Sequence, residues 1–188
     1  YLGSLVCDSY NSIIENFTIQ GDIVATNKFK NSTYYASIGG LVGKSYSDFI
    51  IGCTNSSNIV IESENSRTYV GGICGQERES KLYNCINNGE ISGRGSGIID
   101  VGGICGGVPY FFEGADWNSS GHGNTFKQCK NNGTVSSPQG NCCGGIVGCI
   151  QFDSSVIKDC YNTGIINGGV ANTGGIIGLS YYKDNVVK

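Results

Sequence analysis

The chain has 188 residues, enough for one domain with a core of its own. Its 31 glycines come with only 2 prolines and no Gly-X-Y period, which excludes collagen and argues against a Pro-rich linker. A formal net charge of −3, with 14% charged residues and no basic block, excludes a dedicated nucleic-acid binder.

In chain order, one short glycine-rich block organises everything else. A degenerate copy, Leu2-Gly3-Ser4-Leu5-Val6-Cys7, opens the chain. The block returns as Ile38-Gly39-Gly40-Leu41-Val42-Gly43 and again starting at Val70, Val101, Cys143 and Thr173. The first glycine of the pair falls at 3, 39, 71, 102, 144 and 174, in steps of 36, 32, 31, 42 and 30, so the unit is 30–32 residues. A second block follows each of the first five copies, clearest as Leu82-Tyr83-Asn84-Cys85-Ile86-Asn87-Asn88-Gly89-Glu90-Ile91. Its counterparts are centred on Phe17, Cys53, Cys129 and Cys160. Apolar residues recur three before the centre (Ile14, Ile50, Leu82, Phe126, Ile157) and six after it (Ile23, Ile59, Ile91, Val135, Ile166). The long step marks an insertion at about 107–125, carrying Pro109-Tyr110-Phe111-Phe112 and Asp116-Trp117-Asn118, and a smaller one lies at 24–37.

Short β-branched runs broken by Gly and Asn, with no sustained 3.6-residue period, predict strands and no helix. Each unit offers about three strands and cannot bury its apolar face alone, so units must stack. The expected fold is all-β: a single parallel β-solenoid over residues 1–188, of five to six rungs. Equivalent residues then lie about 4.8 Å apart, and each column becomes a ladder of like side chains. The Asn-Asn-Gly turn is expected at one corner, with Gly at positive φ and stacked amides bonding to each other. In Gly-Gly-Ile-Cys-Gly, both Ile73 and Cys74 are apolar although strand neighbours face opposite ways. Either the chain bends at the glycine pair and turns both inward, or one forms an outward apolar stripe.

Ten cysteines are unusual for the cytosol and expected where disulfides persist, and no C-x-x-C spacing of a zinc or redox site occurs. No metal and no cofactor is implied. Column positions favour disulfides between rungs, Cys53 with Cys85, Cys129 with Cys160 and Cys74 with Cys105, with Cys142 to Cys149 as a clip. The other reading is that column cysteines are free, small, buried apolar residues. Five sequons, at Asn16, Asn31, Asn55, Asn118 and Asn132, add to the case for an extracellular or cell-surface glycoprotein. No apolar run is long enough to span a membrane. With neither a Met nor a signal peptide, the chain reads as a processed or excerpted piece.

The Gly-Gly-Leu-Val-Gly and Gly-Gly-Ile-Ile-Gly blocks, followed by Asn-Cys-x-Asn-x-Gly-x-Ile, resemble the GLUG-motif repeats of large secreted and cell-surface proteins. The resemblance covers nearly the whole chain. It implies β-solenoid stalks without catalytic residues of their own. The many cysteines, and Ser4 and Cys7 in the first block, depart from the motif.

A catalytic reading finds little support in the residues. His122 lies near Glu113 and Asp116, but between two glycines, which describes a loop and not a preorganised site. Polysaccharide-cleaving chemistry needs paired carboxylates, and the acids here are scattered. Asp48, Glu62, Glu64, Glu77, Arg78 and Glu79 are read as solvated surface. Tyr110, Phe111, Phe112 and Trp117 form the candidate contact loop, for a sugar, for another chain, or folded back on the solenoid. With no polar capping unit recognisable, the expected function is a non-enzymatic structural solenoid that stacks head to tail or joins another extracellular protein. A glycan-binding adhesin module is the alternative, and a polysaccharide-acting β-helix enzyme comes third.

Overall fold

The computed structural model describes residues 1–28, 35–64, 66–110, 123–151, 154–169, 171–181 and 184–188. Among them the chain forms 28 short strands and no helix, winding through about five coils. Every pairing is parallel, and the strands build five sheets. The coil from Arg67 shows the plan: Arg67–Gly71 lies in sheet A, Cys74–Arg78 in B, Lys81–Tyr83 in C, Ile86–Asn87 in D and Ile91–Arg94 in E. The unit therefore has five strands where three were expected.

Register follows the repeat. Gly3, Gly39, Gly71, Gly102, Gly144 and Gly174 stack as one column of sheet A. The additional corners come from residues held at positive φ. One column of corners is Asn16, Gly52, Asn84, Gln128 and Asp159; another includes Asn11, Ser47, Glu79, Ser154 and Asp184. The stacked Gly89, Gly133 and Gly164 do not adopt positive φ, contrary to expectation. They are small because the coil below presses close: a Cβ on Gly89 would overlap the carbonyl oxygen of Ser57.

Two apolar compartments result. Ile38, Val70, Val101 and Cys143 of sheet A pack against Ile23, Ile59, Ile61, Ile91 and Val135 of sheet E. Val42, Cys74, Cys105 and Val147 of sheet B pack against Ile50, Leu82, Phe126 and Ile157 of sheet C. Sheets A and B also face each other, and a polar layer lies between them: the ring of Tyr69 (A) lies over Gly107 (B).

The bend at the glycine pair makes this possible. The carbonyl of Ile104 accepts from the amides of both Ile73 and Cys74, and the carbonyls of Leu41, Ile73, Ile146 and Ile176 do the same one coil along. Two successive amides pointing at one oxygen mean that the chain turns between them, as in a bulge. Ile73 and Cys74 are both fully buried in the same cluster, so the inward-turning reading holds and the outward stripe does not form.

The expectation of disulfide stabilisation is corrected: all ten cysteines are free thiols, including Cys53, Cys85, Cys129, Cys160, Cys74, Cys105, Cys142 and Cys149. A Cα separation inside the disulfide range is necessary but insufficient. Stacked side chains in a parallel ladder run side by side at rung spacing, whereas a disulfide draws its Cβ atoms to roughly 3.8 Å with a Cβ–S–S–Cβ twist near 90°. The thiols turn to backbone carbonyls instead, of their own coil and, for Cys53, Cys85 and Cys129, also of the coil before. Cys53, Cys85, Cys129 and Cys160 donate to the residue two before them at 3.3–3.6 Å. Cys74 and Cys105 donate to Gln76 at 3.0 Å and Gly107 at 3.4 Å.

Candidate functional site

In the central coils sheet B is covered on both faces, so its polar residues there are buried, as is Asp48 in the turn that follows Val42–Tyr46. This overturns the surface reading of Asp48, Glu77 and Arg78, which are at most 3% exposed. Asp48 is well satisfied: it accepts from the Ser12 amide at 2.8 Å and the Ser45 hydroxyl at 2.7 Å. Glu77 is not. Its column neighbours are Ser45 on one side and the apolar level of Val108 on the other, and neither carboxylate oxygen has a partner in bonding geometry. Burial first, then the neighbouring Cys105, raises its carboxyl well above the ordinary range; the Ser80 amide offsets only part of this.

The polar layer between sheets A and B holds the densest group of reactive side chains. Asp100 on Ile99–Gly102, Cys142 on Cys142–Gly144 and Cys149 on Val147–Ile150 place one oxygen and two sulfurs within 4.8 Å of one another, all buried. Arg67 binds Asp100 Oδ2 through Nη2 at 2.8 Å and Nε at 2.9 Å. Asn141 Nδ2 reaches both Asp100 Oδ1 and Cys142 Sγ at 3.2 Å. The Cys142 thiol is pushed well up by its hydrogen bond with Cys149 and by burial. These three residues are the donors that could hold a metal. The sequence shows no ligand spacing because they come from two coils and two sheets.

An outer face carries a different pattern. Lys81, Lys127 and Lys158 lie on the outer side of sheet C, Lys130 on sheet D, and Lys188 bonds edge-on to Ile157. Lys127 and Lys158 are directly stacked and exposed. Aromatic rings interleave: Lys81 Nζ lies 4.8 Å from the Phe49 ring and Lys130 Nζ 5.5 Å from that of Tyr161. Five of the chain's 12 lysines and arginines thus gather on one face of an acidic protein. They are scattered in sequence, and only the coil register brings them together.

Among the sequons, Asn16 and Asn132 are exposed. Asn55 is fully buried, and its Nδ2, the atom a glycan would take, donates to Ser57 O at 2.9 Å and Asn87 Oδ1 at 2.8 Å. The folded chain therefore has no room for a glycan at Asn55. Asn31, Asn118, Phe111, Phe112, Trp117 and His122 lie outside the described residues; Tyr110 is exposed. No helix among the described residues is long and apolar enough to cross a membrane. No protein-family model, curated protein or solved structure matches the chain.

Proposed function

We propose that the chain is a non-catalytic structural module of an extracellular, cell-surface protein, a rigid solenoid that extends by adding parallel strands to its edges. The observation that carries this reading is the strict in-register stacking of five sheets, each with edge strands paired on one side only among the described residues. Such edges accept further coils of the same repeat, in the same chain or a second copy. The resemblance to GLUG repeats and the surface positions of Asn16 and Asn132 support the extracellular placement. The cysteines do not, since they act as packing residues. Electron microscopy of the purified chain tests the module: rods that lengthen with concentration in steps of roughly 25–30 Å, the height of five or six rungs, are expected. Compact particles that stay single at every concentration would overturn end-to-end stacking.

The lysine and aromatic face favours a second reading, binding of an acidic polysaccharide. Stacked like charges repel, a bound polyanion relieves that repulsion, and sugar rings pack on exposed aromatics. A sulfated polysaccharide should bind in low salt and a neutral dextran should not. The double variant Lys127→Gln, Lys158→Gln should lose at least tenfold in affinity; an unchanged affinity would sink this reading.

A further inference from the structure

We propose that Asp100, Cys142 and Cys149 form a binding site for a thiophilic divalent cation of the zinc type. Ligand atoms around a tetrahedral zinc, at about 2.3 Å for sulfur and about 2.0–2.2 Å for oxygen, lie roughly 3.5–3.8 Å apart. The three atoms here already fall within 4.8 Å of one another, so small side-chain rotations complete the triangle. They sit on three separate rigid strands, which holds their spacing better than a loop would.

The surroundings are those of a metal–thiolate centre. Three N–H groups face the two sulfurs: Asn141 Nδ2 at 3.2 Å and Asn172 Nδ2 at 3.9 Å from Cys142, and Arg67 Nη2 at 3.9 Å from Cys149. Donors directed at sulfur stabilise a metal-bound thiolate. Arg67 grips Asp100 through Oδ2 alone and leaves Oδ1 toward Asn141 for the cation. A water completes four-coordination.

Charge also balances. With both thiols protonated, Arg67 and Asp100 cancel. Binding the cation forms two metal–sulfur bonds, breaks two S–H bonds and releases two protons; two thiolates and a divalent ion add no net charge to the interior. The cluster spans two adjacent coils and does not repeat as a ladder: Tyr69 and Gly107 stand below Asp100 and Cys149, and Asn172 and Leu179 above Cys142 and Cys149. Plain packing would have been met by such residues.

The test uses the full chain, reduced and stripped of metal, titrated with Cd²⁺ and then Zn²⁺. One equivalent of Cd²⁺ should raise a saturating sulfur-to-cadmium band in the near ultraviolet, with two protons released per ion. The variant Cys142→Ser, Cys149→Ser should lose the band. Retention of the band by the folded variant would overturn the proposal, as would no stoichiometric band in the parent. X-ray absorption of the zinc-loaded parent keeps the test decisive if the variant does not fold. Two sulfur and one or two oxygen or nitrogen neighbours are expected, whereas a shell of oxygen and nitrogen alone, or one with three or more sulfurs, would refute the assignment.

Discussion

Replacing Glu77 with Gln should remove a pH dependence that the parent protein carries in its core. The folded carboxyl ionises well above 4.5, its ordinary value, because the charged form would be buried without a partner. A group raised in the folded state stabilises fully below its unfolded pKa, and its contribution is lost as pH rises toward the folded pKa. The parent should therefore weaken relative to Glu77→Gln as pH rises above 4.5, by up to about 1.4 kcal/mol per pH unit. Urea unfolding of both proteins between pH 4.5 and pH 7 reads the difference as diverging midpoints. Parallel curves would refute the reasoning, because they would mean that Glu77 meets water or a cation in the folded state. Glu77→Leu, matching the apolar Val108 above it, should stabilise at neutral pH.

Three further outcomes follow from the ladders and the bend. Asn87→Ala removes the donor to Gly89 O and Asn131 Oδ1 and the acceptor for Asn55, and should cost about 3 kcal/mol in denaturant melts. Gly72→Ala places a Cβ inside the carbonyl of Gly103 and against Asn87, and should cost about 4 kcal/mol or more, seen as loss of the cooperative thermal transition. Adding reductant should leave the melting temperature unchanged, since the cysteines are thiols; a fall equivalent to the roughly 2–5 kcal/mol of a lost disulfide would contradict this.

The repeat was readable because a ladder needs like residues at like positions. The columns through Gly71, Leu82 and Ile91 align in the sequence alone, and they are the pairings observed. How each coil folds on itself was less visible. Its corners rest on Asn16, Gly52, Asn84, Gln128 and Asp159, which share a backbone angle but not a residue type. Nothing in Gln76-Glu77-Arg78 marks it as an interior strand, because charge ordinarily signals solvent. The layer between sheets A and B was hidden for the same reason, and with it the meeting of Asp100, Cys142 and Cys149. The sequence places the cysteine columns but not their chemistry, because column position sets distance and leaves the direction of Sγ open.

The asparagine ladder gives the rod a sense of direction. From Asn55 through Asn87 and Asn131 to Asn162, each Nδ2 donates to the next Oδ1 at 2.7–2.8 Å, always toward the C-terminal coils. Below Asn55 the position is Ile19, where the line stops. The amide dipoles add up like magnets laid nose to tail, each bond polarising the next. A coil arriving above Asn162 must offer an oxygen, and a module presented upside down would set donor against donor. Any assembly built on this face is therefore a one-way street, with two chemically distinct ends.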